Sequence, residues 1–322
     1  MTSVLRRAVA PFAAVTALVV MLTACGSGPS QVNSAVVIDG HTISVDDVQA
    51  MVDKIVKEQP AAQSLAQQHK LDLVSREVVT QLITHELLTE VARKDGVRVD
   101  PAQLQELRAQ NPFGQKIPTD GSVPAEQLVP ELVNRARGFD AYANDQLLLD
   151  GLARQHLGRD SAQYNIVQIA DEAKAKALAE QIAAKPNESA ALMRAASETP
   201  DQVQLNQDTG PTGNGVFLAA PDNSVFVLPA GSGEQGGSGG FQIVHVLSTK
   251  TAASTSPEFD SSQIDPAQLP AIGKFVLRPR AIESKIEISP RFGVWNDANL
   301  TVVPKGEAEV AGFVVLPKTE QP

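Results

Sequence analysis

From Val45 to about Leu157 the apolar residues recur at three- and four-residue spacings; before and after that block they alternate or come in short runs. The first pattern buries one stripe of a helix and the second one face of a strand. Val45, Val48, Val52 and Ile55 open the helical block, with Met51 and Val56 widening the stripe. Ala35–Ile38, Tyr164–Ile169, Val225–Leu228, Phe241–Leu247, Ser284–Pro290 and Leu300–Val303 read as strands. A chain that segregates the two periods in this way folds as α+β. Its 322 residues suit two or three packed units.

Local signals place the helix ends. Asp39-Gly40 is a turn between short strands, and Ser44 caps the first helix with Asp47 three residues on. That helix stops near Pro60. A second is expected from about Ser64 to Lys94, burying Leu71, Val74, Val78, Leu82, Leu87 and Leu88 and ending at Gly96. Asp100-Pro101 opens a third, which Asn111-Pro112 ends. Pro124 to Leu157 is helical again, interrupted near Gly138.

Composition narrows function. Hydrophobic residues are 43%, enough for a core. The net charge of −10 and an aromatic content of 4% argue against nucleic acid, which calls for a basic stripe and stacking platforms. One cysteine, Cys25, excludes an intramolecular disulfide and any cysteine-cluster metal site. Arg6 and Arg7 precede an apolar run from Ala8 to Leu22, shorter than the roughly 20 residues of a spanning helix. The run ends in Leu22-Thr-Ala-Cys25, which resembles a bacterial lipobox. The resemblance implies a signal peptide over residues 1–24 and acylation of Cys25, palmitate included. Residues 25–34 then form a flexible stalk outside the cytoplasm.

Ala35-Val-Val-Ile-Asp-Gly-His-Thr-Ile-Ser-Val-Asp-Asp-Val48, with Arg76–Val91, resembles the N-terminal region of SurA-like envelope chaperones and PrsA-type lipoproteins. Ile286–Asp297 (IEISPRFGVWND) resembles the C-terminal strand that returns to complete that domain. The resemblance implies a mostly helical cradle for unfolded or newly exported polypeptides, with an apolar groove left open beside the helices. Trp295 would be a seam residue.

Between these parts, strand, two helices, loop and closing strand resemble a parvulin-type prolyl isomerase. Glu188–Ser197 (ESAALMRAAS) and Gly240–Val246 (GFQIVHV) carry the likeness. Asp171 and Asn187 are expected to cap its two helices. The family places one histidine on the first strand and one on the closing strand. Here Asn165 and Gln242 stand at those positions, and His245 falls three residues further on. The resemblance thus implies a degenerate isomerase fold without imidazole chemistry.

Other motifs fail on context. Gly231-Ser-Gly-Glu-Gln-Gly236 fits a dinucleotide loop as text but precedes a strand, not a helix. His41, His69, His85, His156 and His245 have no metal-ligand spacing and read as surface or filler residues. No catalytic residue, metal or cofactor is assigned.

The sequence therefore reads as a SurA-like helical domain over 35–158, a degenerate parvulin-like insert over 160–250, a linker over 251–270, a returning segment over 271–304 and a tail over 305–322. Gly312–Leu316 is apolar enough to dock. The expected function is ATP-independent polypeptide binding at the extracytoplasmic membrane face, anchored through Cys25. An active prolyl isomerase and a structural scaffold for one envelope partner are the alternatives.

Overall fold

The computed structural model describes residues 33–209, 219–230, 240–256, 259–260 and 264–317. The signal segment, Cys25, most of the stalk and Gly231–Gly236 lie outside them. Met1–Asn33 and Ser34–Pro322 form separate units, and the strands and helices of the described residues belong to the second.

Strands β1 (Ser34–Ile38) and β2 (His41–Ser44) form the expected hairpin. Helix α1 (Val45–Glu58) starts on a full capping box: the Ser44 side chain accepts from the Asp47 amide at 3.0 Å, and the Asp47 carboxylate accepts from the Ser44 amide at 3.3 Å. The next helix departs from expectation, because it is two: α2 (Pro60–Gln67) and α3 (Leu71–Asp95). Proline at the first turn starts α2 early. His69, at φ 57°, ends it, with the His69 amide bonded to the Ala66 carbonyl and the Lys70 amide to that of Leu65. That is a Schellman stop with histidine where glycine is usual, so the sequence carries no punctuation there.

Helix α3 buries Val74, Val78, Val79, Ile83, Leu87 and Leu88, a wider face than one stripe, while Leu71 and Leu82 are half-buried. Gly96 ends it in the left-handed region at φ 73°. Helices α4 (Pro101–Ala109), α5 (Ala125–Arg137) and α6 (Phe139–His156) follow, the last two broken at Gly138 as anticipated.

The chain then builds a five-stranded sheet. Strand β3 (Asp160–Ile169) leads to helices α7 (Glu172–Ala184) and α8 (Ser189–Ala196), then to β4 (Gln204–Asp208), β5 (Val225–Pro229) and β6 (Phe241–Thr251). Asp171 caps α7, its side chain accepting from the Lys174 amide at 2.8 Å. Asn187 does not cap α8. Pro186 starts a 3₁₀ turn through Glu188, and the helix begins on Ser189. Val167, Ile169, Leu178, Ile182, Met193, Val225, Val227 and Ile243 form the core on the helix side of the sheet.

Helices α9 (Leu269–Val276) and α10 (Arg278–Glu283) bring the chain back, with strands β7 (Ile286–Ile288), β8 (Val294–Asn296), β9 (Thr301–Val303) and β10 (Phe313–Val315). Gly273 lets α9 lie directly on α6, since a Cβ there would collide with the Leu149 carbonyl. β7 pairs antiparallel with β1, Val36 opposite Ile288 and Ile38 opposite Ile286. The C-terminal segment thus completes the N-terminal sheet. β9 does not join that sheet but pairs with β8, and the Val302 amide donates to Thr80 Oγ1 on α3 at 2.9 Å. Gly312–Leu316 docks further away, where β10 adds to the edge of β5. The final sheet order is β10-β5-β6-β3-β4.

One side chain pins the returning segment between the two cores. Arg278 is wholly buried. Its guanidinium lies 4.7 Å from the Phe226 ring on β5 and 4.9 Å from the Phe275 ring on α9. It donates to the Ala298 carbonyl at 2.9 Å and the Asp297 carbonyl at 3.2 Å. Burial lowers its pKa to about 10 against the pull of Asp297, so it remains charged at neutral pH. No helix among the described residues is long and apolar enough to cross a membrane.

Candidate functional site

Alternation along β3 sends Asn165, Val167 and Ile169 to the helix side of the sheet and Gln168 to the other. The ladder sets Gln168 opposite Gln242, and Asn165 opposite His245. The two positions matched to the isomerase histidines therefore lie on opposite faces, and the fold does not bring them together.

Asn165 is an internal clamp. It is buried, donates to Ser189 Oγ on α8 at 3.1 Å, and accepts from the Asn206 amide on β4 at 2.8 Å. His245, across the ladder, is fully buried, and neither ring nitrogen has a hydrogen-bond partner. Burial lowers its pKa to about 4, so the ring is neutral at physiological pH. It is neither a surface nor a filler residue but a sealed one.

Gln242 instead opens onto a cavity of about 510 Å³. Gln168, Gln202, Gln204, Ser197, Thr199 and Asp201 complete its polar wall, over Ile166, Val167 and Val203. That volume is within the roughly 300–1,000 Å³ of ordinary ligand sites. The cavity's outer wall comes from the stretch between α8 and β4, which has no motif and reads in sequence only as polar. Nothing in the sequence brings the four glutamines together, because β4 is a short strand of polar residues.

The helical part is more closed than the resemblance implies. Among the described residues the exposed large hydrophobics are Val310 and Leu316, so no broad apolar furrow runs beside the helices. Smaller troughs remain. One of about 210 Å³ is bordered by Leu65 on α2 and Leu128 on α5, and one of about 280 Å³ lies between Ile286, Ile288 and Trp295. Trp295 is half-buried against the helical core and donates to Asp297 Oδ1 at 2.9 Å, which is a seam position.

Two further histidines are ion-paired rather than idle. His85 Nδ1 lies 2.8 Å from Asp145, which Arg137 also holds. The bond to Asp145 raises the His85 pKa against partial burial, and despite burial Asp145 is kept low by His85 and Arg137. His156 lies 2.6 Å from Asp160 and 3.5 Å from Asp95. Burial opposes its protonation, but the two carboxylates outweigh that and raise its pKa. No group of three His, Cys, Asp or Glu residues fit to hold a metal occurs among the described residues.

Comparison with known proteins bears on the N-terminal part. The family model of the SurA-like N-terminal domain matches residues 4–131, through β1, β2 and α1 to α4 and into α5. The match assigns a SurA-like N-terminal domain to that stretch, and the fold of the described residues is α+β. A solved structure reported for PEB4 and Cj1289, described as two structurally related SurA-like chaperones of Campylobacter jejuni, is 13% identical. The alignment covers 80% of this chain and 99% of that one, at a TM-score of 0.19. No curated protein matches the chain.

Proposed function

We propose that this protein is an ATP-independent chaperone of the cell envelope. It is tethered by lipid on Cys25 and binds unfolded or newly exported polypeptides without isomerising their X–Pro bonds. The observation that carries the reading is the SurA-like N-terminal domain, together with its completion by β7 from the far end of the chain. In this reading residues 35–158 and 271–304 form the chaperone domain and 160–250 a parvulin-like insert kept for peptide binding. The groove beside Gln242 supports that role, since its amides can hydrogen-bond a peptide but cannot exchange protons as imidazole does. The uncatalysed cis/trans barrier is about 18–20 kcal/mol, and the one imidazole of this sheet is sealed behind β3.

The central test is aggregation of a chemically unfolded client. Suppression should set in near equimolar ratio, without nucleotide, and no effect at excess would reject the reading. A protease-coupled assay on an X-Pro peptide should stay silent. Cys25→Ala should release the protein from membranes, because each buried CH₂ of an acyl chain contributes about 0.8 kcal/mol.

A further inference from the structure

Strand β3 is longer than its outer neighbour. β4 pairs with it at Gln163, Tyr164 and Ile166, and among the described residues no strand lies against that edge of Val167–Ile169. Alternate residues of an antiparallel strand send their amide and carbonyl to each side, so this stretch presents hydrogen-bonding groups outward. The cavity of about 510 Å³ lies along Val167 and Gln168 at that edge. Around it stand Gln168, Gln202, Gln204 and Gln242, each able both to donate and to accept. Asp201 is the one charged residue in its wall, and the whole chain carries a net charge of −10.

We propose that this groove captures an extended, basic polypeptide segment by adding it as a strand to the open edge of β3. The added backbone pairs with Val167–Ile169 and with the glutamine amides, so capture is indifferent to most of the segment's sequence. Asp201 and the acidic surface select cationic side chains and repel acidic ones. Three residues of strand span about 10 Å, so a short stretch of client suffices. The inference rests on the chaperone reading and narrows it, naming the conformation and charge of what is bound.

The test uses the full chain in detergent and three heptapeptides in calorimetric titration. One alternates Lys and Thr, one alternates Glu and Thr, and the third is the Lys–Thr peptide N-methylated at alternate amides. The Lys–Thr peptide should bind best. Each main-chain hydrogen bond removed by methylation should weaken it about fivefold. The Glu–Thr peptide should bind at least about tenfold more weakly at low salt. Hydrogen exchange should slow at the outward amides of Val167–Ile169 when the peptide is bound. Asp201→Lys should reverse the charge preference without unfolding the protein, the side chain being exposed. Equal binding of methylated and unmethylated peptides, or indifference to charge, would overturn the inference, as would no binding while aggregation is still suppressed. Loss of suppression itself would instead count against the chaperone reading.

Discussion

The helical part and the sheet part treat histidine in opposite ways. His85 and His156 each face a carboxylate and are held in favour of the proton. His245 sits at the centre of the sheet with no partner and is held against it. The contrast follows from architecture. His85 and His156 lie where elements meet, α3 on α6 and α6 on the start of β3, so acidic residues from a second element can reach them. His245 lies between β3 and β5, opposite Asn165 and Val225, on the sheet face that α7 and α8 pack with apolar residues. Polar groups here fasten seams, and inside a layer they are tolerated only while uncharged.

The largest expected effect tests the seam rule at its most buried member. Arg278→Ala would leave a void between Phe226 and Phe275 and orphan the carbonyls of Asp297 and Ala298. Removing one partner from such a site costs about 3–5 kcal/mol. Urea unfolding should show that loss, with Arg278→Lys recovering only part of it, because an ammonium cannot span two rings and two carbonyls. A loss under about 1 kcal/mol would mean that the buried charge is not what joins the two cores.

The second effect concerns His245. Its folded pKa of about 4 lies below the ordinary 6.5, so between those values the unfolded chain binds more protons. Stability should be complete above pH 6.5 and fall as pH drops towards 4, by about 3 kcal/mol for this group alone. His245→Leu should flatten that limb of the curve. An unchanged acid limb in the variant would show that the ring finds a partner when charged, and the contrast between the two parts would weaken.

How much of this is legible in the sequence differs by region. The start of the helical domain can be read residue by residue, because Asp39-Gly40, Ser44 and Asp47 are local signals whose consequences are local. The return of β7 to β1 is what the family likeness around Ile286–Asp297 implies, whereas the pairing of β9 with β8 and its bond to α3 have no signal in the sequence. The break at His69 is hidden because its left-handed residue is not glycine. The candidate groove is least legible. Which face Gln242 occupies depends on the register between β3 and β6, and a single-residue change of register moves a side chain to the opposite face. Likeness to a family pairs Asn165 with Gln242, and register, which no single strand encodes, separates them.

Asn165 offers a test at the site itself. Asn165→Ala should leave Ser189 and the Asn206 amide without their partner inside a packed layer, at a cost of about 2 kcal/mol. Asn165→His, which restores the residue expected of an isomerase, should also destabilise, because the larger ring would meet the already sealed His245. It should not bring X-Pro turnover, since the groove lies on the other face. Turnover in the histidine variant would show that the two faces communicate, and the division between a clamp on one side and a groove on the other would fail.

The smallest effect runs opposite to that of His245. The folded pKa of His156 is raised, so between 6.5 and that raised value the folded chain binds more protons than the unfolded one. Its stabilisation is complete below pH 6.5 and is lost as pH rises through the folded value. His156→Gln should cost about 1 kcal/mol at pH 6 and progressively less above neutrality, because the wild type then loses the same charge. His85, more exposed, should follow the same sign with a weaker amplitude. Acid therefore strengthens the seams while it strains the sheet, and the wild-type curve should peak between the two limbs. In the His156→Gln, His245→Leu double variant both limbs should shrink together. Were only one to shrink, the remaining slope would belong to other groups, and hydrogen exchange across α6 and β3 as a function of pH would locate them.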